Sequence, residues 1–233
     1  MIASAPDLVA APAGRHAVIL CHPDPGSFDH SIARTYCEAV RHFGQEAILR
    51  DLYAIGFDPV LKANERVTVP HARLDDVRTE LDTIEGSDVF VLIYPIWFGT
   101  APAMMKGYIE RVLGSGVRPE AIVEQTRTRL LGGKRLLNIT TSGTTDIWLN
   151  AQGQEEGLRS VFDQYLVTAF GMHAQEHLRF DHITSALSQR FVDQYLIEVV
   201  AKAERTCALV AFGDNAVHDN PNIARTLLHV ASA

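Results

Sequence analysis

Residues 89–112 run VFVLIYPIWFGTAPAMMKGYIERV, a pattern of strand, loop and helix. Val89-Phe90-Val91-Leu92-Ile93-Tyr94 is an unbroken β-branched and aromatic run. A run without alternation suits a parallel strand covered on both faces, since neither side then meets water. Pro95 stops the strand, having no N–H to donate to a neighbour. Pro102 pre-sets the first turn of a helix, along which Met105, Tyr108 or Ile109, and Val112 recur at helical spacing until Gly114. Between strand and helix lies Pro95-Ile96-Trp97-Phe98-Gly99-Thr100. Open α/β sheets hold their ligands in loops at the carboxyl ends of strands, and two large aromatics there lack cover from water without one. A flat, partly apolar ligand is expected on this loop; ordinary core or interface aromatics account for the same two rings.

Outward from this unit the chain alternates strand and helix patterns. Ala17 to Cys21 reads as a buried strand, and Ile32, Tyr36, Val40 and Phe43 as the inner face of a helix ended by Gly44. Ala47 to Leu52 is a second strand, while Asp58 to Arg73 has no clear period and reads as an irregular connection. Leu74, Val77, Leu81 and Ile84 mark a helix stopped by Gly86. After a loop with a short helical piece over 114–133, Arg135 to Thr140 is a strand, and Leu158, Phe162, Tyr165 or Leu166, and Phe170 define a helix ending at Gly171. Met172 to Phe180 reads as a fifth strand with His173, Gln175, His177 and Arg179 on one solvated or interface face. A last helix from Ser185 uses Phe191, Tyr195 or Leu196, Val199 and Ala203. The alternation predicts one α/β domain over 15–212, a doubly wound parallel sheet with right-handed crossovers, flanked by arms at 1–14 and 213–233.

Two more loops follow strands. His22-Pro23-Asp24-Pro25-Gly26-Ser27-Phe28-Asp29-His30-Ser31 runs from strand into helix, where N–H groups and hydroxyls suit a phosphate. A turn in which Ser27, Asp29 or Ser31 caps the helix explains the same residues. Thr140-Thr141-Ser142-Gly143-Thr144-Thr145 is small and polar, so it reads either as an ordinary polar turn or as a close-approach site offering hydroxyl and N–H donors.

Other chemistry is disfavoured. The formal net charge is −7 with no Lys/Arg-rich run, so a nucleic-acid surface is not expected. Cys21, Cys37 and Cys207 form no CxxC, which fits a reduced cytosol rather than a disulfide framework or zinc ribbon. No apolar run is as long as a membrane span, and MIASAPDLVAAPAG has no cationic start or long apolar centre. His173 and His177 have no third ligand in view, so no metal is expected. Cys21 and His22 point to opposite faces of a strand, and no GxSxG occurs.

YPIWFGTAPAMMKGYIERV, with HPDPGSFDHS at 22–31 and NITTSGT at 138–144 in the expected order, resembles the flavodoxin-like NAD(P)H:quinone oxidoreductase family. The resemblance implies a five-stranded sheet of order 2-1-3-4-5. It implies a flavin whose phosphate meets His22, Ser27, Phe28, Asp29 and Ser31, and whose ring lies on Pro95, Ile96, Trp97 and Phe98 with Thr141, Ser142 and Gly143 at its N1/O2 edge. FAD is the first choice and FMN the alternative. NADH or NADPH is the implied donor, a quinone-like compound the acceptor in ping-pong turnover, and a homodimer the implied assembly. Trp148 and Gln154 stand where the family's catalytic Tyr and His align, Asp29 replaces an Asn, and Gly114 to Arg118 replaces a Phe-Ala-Tyr wall. These departures leave open an azo- or nitro-reductase, an electron carrier, or a regulatory flavoprotein partner of a transporter.

Overall fold

Strand β3, Val89–Pro95, is buried at every residue and forms the middle of the sheet. The computed structural model describes residues 14–65, 74–124 and 130–219. Strands β1 (Arg15–Leu20), β2 (Glu46–Asp51), β4 (Arg135–Thr141) and β5 (Ala174–Phe180) join it in the order β2-β1-β3-β4-β5, every neighbouring pair parallel. The chain leaves β1 toward one edge and returns to β3 toward the other, which puts the topological switch between those two strands.

Helices cover both faces, and this is why the central strands carry no polar alternation. On one face Val18, Val91 and Ile139 pack with Ile32, Tyr36 and Val40 of α1 (Phe28–His42) and with Val199 and Ala203 of α8 (Gln189–Asp219). On the other, Ile19, Phe90 and Leu92 meet Val77 and Ile84 of α2 (Asp75–Ile84) and Met105 of α3 (Ala103–Tyr108). Each of these Val, Ile, Leu, Phe and Met side chains, once buried, contributes about 1.5–3 kcal/mol of transfer free energy.

Several expectations are refined by the structure. Pro95 is the last residue of β3 rather than a residue beyond it, paired with Thr141. The helix after β3 widens into a π-turn at Ile109–Leu113 before Gly114, and the short helical piece in 114–133 is α4 (Pro119–Val123). Gly107 allows α3 to touch the 58–65 connection, because a Cβ there would collide with Pro59. Arg111, 1% exposed, fastens the same connection by bonding the Asp58 carbonyl, Glu65 and Asp76. The segment before Gly171 is three pieces, α5 (Asp146–Ala151), α6 (Gln154–Leu158) and α7 (Tyr165–Phe170), with a π-turn at Arg159–Gln164 between the last two. Leu166 faces the core and Tyr165 is exposed.

The fifth strand's polar face is not solvated at His177. Its Nδ1 lies 2.9 Å from Asp163 and its Nε2 2.8 Å from Thr140, while Asn138 donates to Asp163 at 2.6 Å. The π-turn aims Asp163 inward, so the polar residues of β4 and β5 find a buried partner instead of water. The last helix begins at Gln189 rather than Ser185, and Phe191 is exposed rather than in the core. Gly213, at φ 79°, interrupts that helix beside the expected boundary at 212, and Asp214 then accepts from Arg135 at 2.5 Å and pairs with His173 at 2.7 Å. Most of the two expected arms, at 1–13 and 220–233, and residues 66–73 of the irregular connection lie outside the described residues.

Candidate functional site

The three suspect loops meet at the carboxyl ends of β1, β3 and β4. The first is turned by Asp24, whose carboxylate accepts from Gly26 N–H at 2.8 Å, and it delivers Ser27 to the N-cap of α1. Ser27 Oγ accepts from His30 N–H at 3.4 Å, and Phe28 and Asp29 occupy the first turn behind it. Phe28 turns its ring away from the loop mouth onto Phe180 and Tyr195, at centroid distances of 5.9 and 6.2 Å, so its backbone and not its ring faces the site. Ser31 sits in the next turn, accepting from Arg34 at 3.3 Å.

Asp29 does not cap the helix. It is buried, and both its oxygens accept from Thr141 Oγ, at 3.1 and 3.0 Å, joining the first loop to the third. Burial raises its pKa to about 6, opposed by the Thr141 hydrogen bond and the charges of His22 and His30. The carboxylate that replaces an amide here is thereby taken up by a protein partner. In this structure the Thr141 hydroxyl is thus given to Asp29, and the loop's remaining donors are its backbone N–H groups and neighbouring hydroxyls.

The rest of the third loop is similarly committed. Ser142 N–H donates to the Phe180 carbonyl at 2.9 Å, and Ser142 Oγ accepts from Thr144 N–H at 3.1 Å. Gly143 is exposed, with only the Ile183 carbonyl near its missing Cβ, at 3.8 Å. Its backbone is therefore the part of this loop that a ligand can approach closely.

The second loop is a tight hairpin. Trp97 N–H donates to the Thr100 carbonyl at 3.0 Å and Thr100 N–H returns to Trp97 at 3.1 Å, with Phe98 and Gly99 at the tip. A two-residue turn of this hand needs positive φ at both tip positions, and here they are 51° and 80°. For Phe98 that is a strained conformation, and its ring is fully exposed. Trp97, 39% exposed, packs edge-on against His22 with centroids 5.8 Å apart, linking the second loop to the first. Pro95 and Ile96 tie it to the third, with Ile96 N–H donating to the Thr141 carbonyl at 2.7 Å.

The structure therefore brings His22, Ser27, Asp29, Pro95, Ile96, Trp97, Thr141 and Ser142 into one connected site. Gln154, in α6, lies over the hairpin: a Cβ on Gly99 would stand 2.8 Å from its side-chain nitrogen. Trp148 sits on α5 with its ring half exposed, its N–H groups' backbone member bonded to Thr145. His30 was not anticipated. It spans 2.9 Å from Nδ1 to Ser27 Oγ and 2.9 Å from Nε2 to Asp51, a partner 21 residues away that no local pattern announces. Arg179 also escaped notice as a site residue; it lines a cleft with Ile96, Thr140 and Ser142. Cys21, buried with its pKa raised to about 12 by burial, is a neutral core thiol. Among the described residues no cluster of His, Cys, Asp and Glu suits a metal ion.

The donor set fits a flavin on its own terms: a helix N-terminus with a serine cap, an exposed aromatic hairpin, and an open glycine backbone on a common rim. Comparison with known proteins agrees on the fold. An uncharacterized NAD(P)H oxidoreductase of Haemophilus influenzae is 34% identical over 103 residues, 43% of this chain and 51% of the relative. NAD(P)H dehydrogenase [quinone] 1 of Cavia porcellus is 28% identical over 153 residues, covering 58% and 55%. The chain thus spans about half the length of the curated relatives it matches. Among solved structures, an NAD(P)H:quinone oxidoreductase from Methanothermobacter marburgensis superposes with a TM-score of 0.68 at 20% identity, over 82% of this chain and 96% of that one. An FMN-dependent NADH-azoreductase from Bacillus anthracis, solved in complex with FMN, gives 0.59 at 17%, over 83% and 100%. The family model described as flavodoxin-like fold matches residues 15–203, and with the parallel sheet of order 2-1-3-4-5 and its three strand-end loops this chain belongs to that family.

Proposed function

We propose that the protein is a flavin-dependent NAD(P)H oxidoreductase whose acceptor is a quinone or a similar compound. The observation that carries this reading is the Phe98 hairpin, a strained backbone that holds a fully exposed aromatic ring beside Trp97 at the end of the central strand. Strain and exposed apolar surface both cost free energy, and a flat ring resting on the hairpin would offset them. Bound there, a flavin would supply the redox chemistry, taking hydride from NADH or NADPH and giving reducing equivalents to the acceptor. The protein's part is to seat the phosphate at Ser27 and the α1 N-terminus, to stack against Trp97 and Phe98, and to offer the Gly143 backbone at the ring edge.

The built part of the site is the half that FMN and FAD share. The FMN named in the azoreductase complex favours FMN over the FAD that the first loop's resemblance suggested. The azoreductase also keeps an azo compound as the second reading of the acceptor, since Trp148 cannot supply a phenolic proton and Gln154 cannot supply an imidazole. Residues 15–212 would form the working unit. The exposed Ile147, Trp148, Val161 and Tyr165 on α5 to α7 offer an apolar surface for a homodimer. Three buried free cysteines suit a reducing cytosol, and no described helix is long and apolar enough to cross a membrane. Reconstitution with FMN and with FAD, followed by heat release and mass determination, tests the cofactor: a yellow protein releasing FMN is expected, and a protein that retains neither contradicts the proposal.

A further inference from the structure

Ser27, His30 and Asp51 form a relay at the phosphate end, and its hydrogen-bond bookkeeping has two states. Asp51 is an acceptor: one oxygen takes Tyr53 N–H at 3.2 Å and Ala54 N–H at 3.1 Å, and the other lies 2.9 Å from His30 Nε2. Nε2 therefore carries a hydrogen, and in a neutral imidazole Nδ1 is left as an acceptor. Ser27 Oγ, 2.9 Å away, must then donate its only hydrogen to Nδ1, while its lone pair receives His30 N–H. In that state Ser27 has no hydrogen for a phosphate. If His30 gains a proton, both ring nitrogens donate, Nδ1–H points at Ser27 Oγ, and the serine hydrogen is released toward the helix N-terminus.

We propose that His30 is a positioning residue that takes up one proton from solvent when a phosphorylated flavin binds, turning the Ser27 hydroxyl outward to donate to the phosphate. This rests on the flavin reading above. The phosphate supplies the selectivity: it accepts the released hydrogen bond and its charge favours the imidazolium, whereas riboflavin, with a hydroxyl in its place, does neither. Several groups face His30. Asp51 reaches it from β2 and favours the charged ring, as does Asp29 beside it on α1. His22 opposes it from the first loop, with ring centroids 6.4 Å apart, and Cys21 stays neutral. Arg34, a turn along α1, is turned to Ser31.

Calorimetry of the full chain at pH 8, in two buffers of different ionisation enthalpy, tests this. The phosphate monoester, with a second pKa of about 6, is already a dianion there, so it takes up no proton of its own. FMN binding should take up protons and riboflavin none, and the FMN Kd should rise as the pH is raised above 8. His30→Gln should abolish the uptake and leave riboflavin affinity in place, which also shows that the variant is folded. Asp29→Asn should keep the uptake, because its proton is not the one involved. FMN binding without proton uptake, or uptake that survives His30→Gln or vanishes in Asp29→Asn, overturns the relay alone. Failure of both flavins to bind overturns the flavin reading and the relay together.

Discussion

Asp29 shows how one residue can tie a site together and make it pH-sensitive. Its folded pKa of about 6 lies above the unfolded value of roughly 3.9. Its contribution to stability is therefore fully present below about pH 4 and is lost as pH rises through 6, a loss on the order of 3 kcal/mol for about two units. Asp29→Asn removes the charge and keeps the shape, so its urea midpoint should overtake the wild type's as pH goes from 5 to 8. Equal gaps at both pH values would contradict the assignment. Thr141→Val leaves the carboxylate without its donor and should cost about 1–3 kcal/mol at pH 8 in the same experiment. At Phe98 the two readouts part: Phe98→Gly should gain about 1 kcal/mol by relieving the left-handed backbone, yet weaken flavin binding. A loss of stability there would show that the ring has a packing role in the free protein. Of these residues, Ser27, Asp29, Trp97, Phe98 and Thr141 are visible in the sequence because they stand at strand ends. Which partner each hydroxyl or carboxylate takes is not visible, since Asp29 and Thr141 are 112 positions apart.

At the scale of elements, hydrophobic period located the strands and most helices, because burial on one or both faces writes itself into the residue pattern. The π-turns did not stand out, though a trace of them exists. Leu158, Phe162, Leu166 and Phe170 are spaced four apart and all are buried. A regular α-helix would rotate each by about 40° from the last, and the wider turn at Arg159–Gln164 restores the phase. Helix α5 is too short to show a period, and Ile147 and Trp148 on it are exposed while Leu149 is buried, so its apolar residues carried no inward signal. The contact of α3 with the 58–65 connection rests on Gly107, so Gly107→Ala should destabilise by about 1–3 kcal/mol through overpacking against Pro59. A thermal midpoint equal to wild type would mean that the connection moves aside without cost.

For the molecule as a whole, strand order places the three loops on one rim, and the order itself came from resemblance because alternation of strands and helices does not fix it. An apolar surface on α5 to α7 beside that rim predicts a particle of about twice the 25.7 kDa chain mass by sedimentation velocity; a monomer at micromolar concentration would contradict the dimer. On the proposed reading, these loops hold a flavin which a nicotinamide can reduce. Anaerobic titration of the FMN-reconstituted protein with NADH and with NADPH tests it most directly. The flavin absorbance should bleach with one equivalent of at least one of them and return on adding a quinone. A bound flavin that neither nucleotide bleaches would contradict it.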